Sequence, residues 1–248
     1  MAGCGRRHNH HRTFSDTNVR LVLFDIDGTI LRSGGVGRIA MERALTNIFG
    51  TPGHADYRYD GKTDRQIVRE TMRHEGRTDA EIDAAMEKLL AAYVDGLHEE
   101  FASGKRQVQI YPGVLELFDE LEEQKDVTLG LLTGNIVQGA KAKLTAAGID
   151  FSRFKINAFG SDHEDRPQLP AIAQQRARHV LGADISGDRL VVIGDTPADI
   201  RCGESIGARA IGVATGRYTV DELSEHGAYA VFETLADTDA VMERIMNA

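Results

Sequence analysis

Pairs of aspartates follow two apolar runs of this 248-residue chain. In "VLFDIDGTI" Asp25 and Asp27 stand one residue apart, and in "VVIGDTPADI" Asp195 and Asp199 follow a second apolar run. Carboxylates held close together repel one another and are costly to desolvate, so they require a cation. A site made only of oxygen ligands favours Mg²⁺. The four aspartates are therefore candidate ligands of a magnesium ion.

The spacing of the first pair also suggests a division of chemical roles. Residues at i and i+2 point to the same face of a strand that continues. The Gly28-Thr29 that follows predicts a turn, which lets the two carboxylates separate. One carboxylate can then ligate metal and attack an electrophile, while the other transfers a proton.

Alternating apolar runs and helical segments must position these residues. Six runs predict buried strands, at residues 19–26, 127–133, 154–160, 189–195, 209–215 and 229–232. Three helices are predicted between them, at residues 135–147, 170–181 and 197–206, and each ends at a glycine. This alternation predicts an α/β fold with a Rossmann-like open parallel sheet flanked by helices. Ligands bind beyond the carboxyl ends of such strands, where the aspartates lie.

The segment from residue 34 to residue 110 interrupts this alternation. It contains helical patterns, among them a helix over 36–49 and a capping box from Thr78 to Glu81. An apolar stripe follows the capping box, formed by Ile82, Met86, Leu89, Tyr93, Leu97 and Phe101. We expect an inserted helical cap over 34–110, a core made of 19–33 and 111–248, and a flexible N-terminal arm over 1–18.

Three motifs together resemble a known family. "FDIDGTI", "LLTGN" and "VVIGDTPADI", each at the end of a predicted strand, are similar to the signature motifs of the haloacid dehalogenase-like superfamily. The resemblance covers the chain from Val19 onward and is greatest to the phosphoglycolate phosphatase-like branch, which carries a helical cap. It implies the same core and cap that the apolar pattern predicts.

The resemblance also implies a set of catalytic roles. Asp25 resembles the nucleophile that forms an aspartyl-phosphate, and Asp27 resembles the general acid and base. Mg²⁺ would be held by Asp25, the backbone carbonyl of Asp27 and Asp195, with Asp199 nearby or acting through water. The alternative is a purely structural role, in which Asp195 and Asp199 cap the helix that follows them.

The phosphate-binding residues implied by the resemblance include one departure from the family pattern. Thr133 and the amides of Gly134 and Asn135 would hold the phosphoryl oxygens, although the same residues also suit an ordinary strand-to-helix turn. The family usually has Lys-Pro after the third strand, where this chain has Arg166-Pro167. Arginine can neutralise a phosphate, but it is not equivalent to lysine. Lys155 is the alternative candidate.

Other polar residues carry weaker expectations. Lys62 and Arg65 of the predicted cap either face an anionic substrate or belong to a solvated helix start. Lys141 and Lys143 are expected to face solvent. Cys202 is expected to pack against the sheet.

Several reactions remain open from the sequence. The leading hypothesis is a Mg²⁺-dependent phosphatase acting on a small phosphorylated metabolite. A sugar-phosphate mutase also needs both aspartates, although Thr29 looks more like the phosphatases. A dehalogenase has no use for a proton donor such as Asp27. A non-catalytic phosphometabolite-binding protein is the alternative from another class.

Composition limits the partners and the compartment. A formal net charge of −9 argues against broad nucleic-acid binding. No apolar run approaches the roughly 18 residues that span a bilayer, so we expect no membrane segment. The two cysteines lack metal-ligand spacing, which favours a reducing compartment. The N-terminus lacks the apolar segment of a secretory signal. We expect a cytoplasmic protein, monomeric or homodimeric.

Overall fold

Nine helices and eight strands make up the part of the chain that its computed structural model describes, residues 19–182 and 184–248. The strands are β1 (Arg20–Phe24), β2 (Leu31–Arg32), β3 (Gln109–Ile110), β4 (Val127–Thr133), β5 (Ile156–Phe159), β6 (Leu190–Gly194), β7 (Arg209–Val213) and β8 (Ala230–Phe232). The helices are α1 (Val36–Phe49), α2 (Asp64–His74), α3 (Asp79–Ala102), α4 (Val114–Glu123), α5 (Val137–Ala146), α6 (Leu169–Leu181), α7 (Pro197–Cys202), α8 (Val220–Glu225) and α9 (Thr238–Met246). The predicted N-terminal arm and Cys4 lie outside the described residues.

Six strands form one parallel sheet in the order β5-β4-β1-β6-β7-β8. Each of the six apolar runs contains one of these strands, so the predicted open parallel sheet is confirmed. The central strand β1 pairs with β4 on one side and β6 on the other. In this register Phe24 lies opposite Leu131 and Ile193, so the ends of the three strands carrying the motifs meet at one edge.

Helices cover both faces of the sheet. Alternate residues of β1 enter two separate cores, as the period of two requires. Val22 and Phe24 pack with Leu117 and Phe118 of α4, on the face that α5 and α9 also cover. Leu21 and Leu23 pack on the other face, with α6 and with Cys202, which is 1% exposed. The expected packing of Cys202 against the sheet is confirmed.

The predicted insertion, residues 34–110, is called the cap below. It contains α1, α2 and α3, which share a core that includes Val68, Met72 and Leu89. The capping box of Thr78 and Glu81 forms at the start of α3 as predicted. The short antiparallel pair β2 and β3 holds the chain's entry to the cap beside its exit. Sequence reasoning missed this pair, because two-residue strands leave no apolar pattern.

Within the described residues, no helix combines the length and the apolar character that crossing a bilayer requires.

Candidate active site

Three buried carboxylates meet at the carboxyl edge of the sheet. Asp25 follows β1, Asp195 follows β6, and Asp199 lies in the first turn of α7. One oxygen from each lies within 4.8 Å of the others, and all three side chains are buried. The neighbouring positions of β1 and β6 explain why residues 170 positions apart in the chain converge. These carboxylates could hold a metal ion.

The electrostatics of this cluster favour a bound cation. Burial raises the pKa of Asp25 to about 6, even with an arginine beside it. Burial and the charges of Asp199 and Asp25 raise the pKa of Asp195 well above its usual range. A hard divalent cation relieves the desolvation and the repulsion together, and carboxylate oxygens are its preferred ligands.

Two glycines make room for the Asp195 carboxylate. A Cβ atom on Gly28 would lie 2.2 Å from Asp195 Oδ2, and one on Gly216 would lie 1.8 Å from the same oxygen. The hydroxyl of Thr29 donates to Asp195 Oδ1 at 3.1 Å. The Gly28-Thr29 turn predicted from the sequence therefore seats this carboxylate as well as redirecting the chain. The residues present fit a metal site.

Arg166 is the cation that contacts this cluster. It is 4% exposed, its Nη2 lies 3.3 Å from Asp25 Oδ1, and it pairs with Asp199 Oδ1. Burial disfavours the charged guanidinium, but the negative charges of Asp199 and Asp25 outweigh the effect of burial and raise the pKa of Arg166. The alternative candidate, Lys155, is exposed, and its ammonium donates to the carbonyl of Ser152 at 2.6 Å. The structure thus places Arg166 at the carboxylates and Lys155 away from them.

Asp199 caps α7, which is one of the two roles that the sequence left open. Its Oδ2 accepts hydrogen bonds from the backbone N–H of Thr196 at 3.0 Å and from the Thr196 hydroxyl at 2.6 Å, which completes a capping box. Its Oδ1 pairs with Arg166. Asp199 therefore caps α7 and also lies in the carboxylate cluster.

The carboxylate of Asp27 lies in a different environment. Its Oδ2 accepts hydrogen bonds from Asn135 Nδ2 at 2.8 Å and from Lys143 Nζ at 2.5 Å. The expectation that Lys143 faces solvent is wrong, since it is 4% exposed, whereas Lys141 is exposed as expected. Lys143 lies three and four residues after the buried Ala140 and Gly139, on the inner face of α5. That spacing was the signal that could have revealed it.

The loop after β4 joins the two groups of carboxylates. Thr133 is fully buried, and its side chain lowers the pKa of Asp25, although burial of the carboxylate outweighs this effect. Its Oγ1 accepts a hydrogen bond from Asn135 Nδ2 at 2.8 Å. A Cβ atom on Gly134 would lie 2.1 Å from the carbonyl oxygen of Lys62, so the cap backbone packs directly on this loop. The three residues of this loop that were predicted to bind phosphate thus lie together, beside Asp25 and Asp27.

Asp64 of the cap stabilises the contact between the cap and the loop after β4. Sequence reasoning did not identify this residue. Its backbone N–H donates to the Gly134 carbonyl at 2.8 Å, and its Oδ2 accepts from the Ile136 N–H at 2.8 Å. Burial raises the pKa of Asp64 to about 6. An acidic residue in the first turn of a helix is so common that it carried no separate signal.

A cavity of about 660 Å³ lies between the cap and the edge of the sheet. Its lining from the core includes Asp25, Asp27, Asn135, Lys143, Arg166 and Asp195, and its lining from the cap includes Arg38, Tyr57, Tyr59 and Lys62. Lys62 also pairs with Glu70 at 2.5 Å. Arg65, the other cap cation considered from the sequence, pairs with Glu87 and is not among the residues that line the cavity.

Comparison with known proteins identifies the family. The sequence profile of the haloacid dehalogenase-like hydrolases matches residues 22–204. The probable phosphatase IndB of Dickeya dadantii is 28% identical over 235 residues, which cover 88% of this chain and 90% of that protein. A phosphoglycolate phosphatase of Pseudomonas putida is 25% identical over 207 residues, covering 82% of this chain and 72% of that protein.

A solved structure shows the same fold. A hydrolase from Pseudomonas syringae superposes with a TM-score of 0.67 at 24% identity, covering 91% of this chain and 99% of that chain. The prediction of an enzyme of the phosphatase type agrees with both curated relatives. The family inferred from the three motifs is confirmed, and the chain belongs to the haloacid dehalogenase-like hydrolases.

Proposed function

We propose that this protein is a Mg²⁺-dependent phosphatase that hydrolyses a small phosphate monoester through an aspartyl-phosphate on Asp25. The observation that carries the proposal is the convergence of Asp25, Asp195 and Asp199 within 4.8 Å, with Asp25 and Asp195 lining the cavity between the cap and the sheet. The similarity to two named phosphatases supports the same reaction class.

The first half of the reaction transfers the phosphoryl group to Asp25. A carboxylate oxygen of Asp25 forms a bond to phosphorus as the bond from phosphorus to the ester oxygen breaks. Asp27 gives its proton to the departing oxygen, so the product leaves as an alcohol. The two carboxylates suit these roles because both line the cavity, while only Asp25 belongs to the buried cluster.

The second half regenerates the enzyme. Asp27, now a carboxylate, accepts a proton from a water molecule whose oxygen attacks the phosphorus of the aspartyl-phosphate. The bond between phosphorus and Asp25 breaks, which releases inorganic phosphate and the free Asp25 carboxylate. Each aspartate thus returns to its starting protonation state.

Charge on the phosphoryl oxygens is neutralised from several directions. Mg²⁺, when held by Asp25, Asp195, Asp199 and the backbone carbonyl of Asp27, supplies positive charge to these oxygens. Arg166 adds a fixed cation beside Asp25. Thr133 and the amides of Gly134 and Asn135 bind the phosphoryl group from the loop after β4. This loop immediately precedes α5, whose N-terminus also favours an anion.

The cap restricts the substrate to small molecules. A cavity of about 660 Å³ matches the pockets that bind metabolites. Closing the cavity during attack excludes water, which would otherwise compete with Asp25 for the phosphoryl group. We therefore propose a phosphorylated metabolite as the substrate, with 2-phosphoglycolate as one member of the panel to be tested.

The experiment measures phosphate release from p-nitrophenyl phosphate and from a panel of phosphorylated metabolites, with Mg²⁺ and with EDTA. We expect turnover by the wild type only with Mg²⁺, and none by Asp25→Asn. The matched control is Asp239→Asn, an exposed aspartate on α9 that should leave turnover unchanged. Equal turnover by the wild type and Asp25→Asn would refute the proposal. A mutase would instead convert one sugar phosphate to its isomer with little phosphate release.

A further inference from the structure

We propose that Lys143 is a positioning residue that fixes the orientation of the Asp27 carboxylate for proton transfer. The proposal rests on the phosphatase mechanism above and adds a residue that the three sequence motifs do not contain. Its basis is a ring of three side chains. Lys143 Nζ donates to Asp27 Oδ2 at 2.5 Å and to Asn135 Oδ1 at 2.6 Å, and Asn135 Nδ2 donates to the same Asp27 oxygen at 2.8 Å.

The ring leaves the two oxygens of Asp27 in unequal positions. Oδ2 is occupied by two donors, whereas Oδ1 makes no hydrogen bond to any residue of 19–182 and 184–248. The terminal torsion of an aspartate is broad, so an unrestrained carboxylate would sample many directions. Two donors on one oxygen fix this torsion. Because Asp27 lines the cavity, the anchored carboxylate keeps Oδ1 available for the reacting oxygen.

The burial of Lys143 supports a dedicated role. Its side chain is 5% exposed, while that of Asp27 is 42% exposed. A buried ammonium is costly unless it is paired and hydrogen-bonded, and here both requirements are met by Asp27 and Asn135. By contrast, Lys141 on the same helix is exposed and lies 4.9 Å from the centre of the Phe151 ring. The helix therefore holds one lysine in solvent and one inside the site.

The cap completes the enclosure of this lysine. A Cβ atom on Gly37 of α1 would lie 3.5 Å from Lys143 Nζ and 3.8 Å from the Tyr93 hydroxyl of α3. Gly37 and Tyr93 also line the cavity. The ammonium is thus covered by cap residues and hydrogen-bonded to core residues.

The proposed contribution is confined to the proton steps. With its proton on Oδ1, Asp27 donates to the departing ester oxygen as the bond to phosphorus breaks. After that transfer Oδ1 accepts the proton of the attacking water, and the bond between phosphorus and Asp25 breaks. Lys143 makes or breaks no covalent bond in either step. Its removal should therefore slow the reactions that need a proton donor most.

The test compares Lys143→Met with the matched control Lys141→Met on a series of substituted phenyl phosphates. A good leaving group such as p-nitrophenolate needs little protonation, whereas unsubstituted phenolate needs more. For Lys143→Met we expect kcat on phenyl phosphate to fall about 100-fold, within the range of general acid catalysis, with a much smaller fall on p-nitrophenyl phosphate. KM should change little. Lys141→Met should match the wild type throughout.

A double-mutant cycle checks that the effect passes through Asp27. The single variant Asp27→Asn and the double variant Asp27→Asn/Lys143→Met should have the same kcat. Once the Asp27 carboxylate is gone, Lys143 has no proton-transferring group to orient. An equal loss on every aryl phosphate, or additive losses in the cycle, would overturn the proposal. If Lys143→Met does not fold, Lys143→Arg and Lys143→Gln replace it. The arginine, with charge and donors, should recover more activity on phenyl phosphate than the glutamine, and the reverse order would overturn the proposal.

The outcomes also separate this proposal from the proposed function. Wild-type turnover by Asp25→Asn would defeat the phosphatase mechanism itself. An inactive Asp25→Asn together with a Lys143→Met variant that shows no dependence on the leaving group would defeat the positioning role alone.

Discussion

At the scale of single residues, the site depends on how buried charges are paired. Arg166 is central to this pairing, since its guanidinium contacts the carboxylates of both Asp25 and Asp199 inside the protein. Removing one partner from a buried ion pair leaves the other charges uncompensated, which is far more costly than losing a surface pair.

We therefore expect Arg166→Met to lower the free energy of unfolding by about 3 kcal/mol in EDTA, as for other broken buried pairs. Mg²⁺ should restore part of this loss, because it supplies another positive charge to the same carboxylates. The matched control is Arg176→Met, which removes a partly exposed pair with Asp162 and should cost about 1 kcal/mol or less. Urea unfolding of the three proteins measures both values. Equal stability of Arg166→Met and the wild type in EDTA would contradict the pairing.

Asp64 gives a prediction about pH. Burial raises its pKa from 3.8 to about 6 in the folded protein, so the folded state binds the proton more tightly than the unfolded state does. The stabilisation that comes from protonating Asp64 is therefore fully present below about pH 4 and is lost as the pH rises through 6. Above that pH the Asp64 contribution no longer changes.

The isosteric variant Asp64→Asn lacks this titration. Between pH 4 and pH 7 we expect the wild type to lose about 2–3 kcal/mol of unfolding free energy relative to Asp64→Asn, at roughly 1.4 kcal/mol per pKa unit. Denaturant unfolding of both proteins at several pH values measures the difference between their unfolding free energies. Groups that titrate in both proteins contribute equally to the two values and cancel in this difference. A difference that is independent of pH would show that Asp64 titrates normally.

The same residues show how far sequence reasoning reaches at this scale. Asp25, Thr133 and Asp195 could be placed together because each ends a strand, and parallel strands share one carboxyl edge. Lys143 and Asp64 could not, because each lies within a helix, and only tertiary packing decides which helix face meets the site. A lysine is usually exposed, so its residue type argued against its actual position.

At the scale of elements, the boundaries that depend on local signals were predictable. The glycine that ends α6 and the run that forms β4 lie where the sequence placed them. The helix predicted over 197–206 is instead α7 followed by a 3₁₀ turn at Glu204–Ile206. A Cβ atom on Gly203 would lie 2.6 Å from the Cβ of Ala208, so the chain folds back closely on itself where α7 ends. A close approach of this kind leaves no mark on the apolar periodicity of the sequence.

The contact between the cap and the loop after β4 gives a prediction for two elements. Gly134→Ala adds a methyl group where the Lys62 carbonyl lies 2.1 Å away, so the start of α2 must move from the loop. We expect kcat/KM on p-nitrophenyl phosphate to fall at least about 10-fold, since small displacements in an active site cost this much or more.

Gly139→Ala is the matched control for this change. Its added methyl would lie at the same junction, but at an ordinary 3.6 Å from its nearest neighbours, the side chains of Ile136, Leu97 and Tyr93. We expect it to keep kcat/KM near the wild-type value and to be slightly more stable, because alanine favours a helix over glycine. If the two variants had the same kcat/KM, the backbone contact at Gly134 would not control the site.

At the scale of the whole molecule, the cap and the core share packing as well as a cavity. Ile136 and Ala142, which belong to the core segment around α5, are buried in the same apolar cluster as Met86 and Leu89 of the cap. The carboxylate cluster connects two further parts, because its members come from the residue that follows β1 and from the segment that follows β6. A ligand shared by these carboxylates would therefore bind the folded molecule and not its unfolded chain.

Mg²⁺ should consequently stabilise the entire fold. At a concentration one hundred times the dissociation constant, one site that exists only in the folded state adds about 2.7 kcal/mol. For a chain of this length we expect the Tm to rise by about 5–10 °C. Asp195→Asn removes one charged ligand and should abolish most of this rise, whereas Asp239→Asn, an exposed aspartate far from the motifs in sequence, should keep it. Differential scanning calorimetry with and without Mg²⁺ measures the shifts. A rise of the same size in Asp195→Asn would place the ion elsewhere in the molecule.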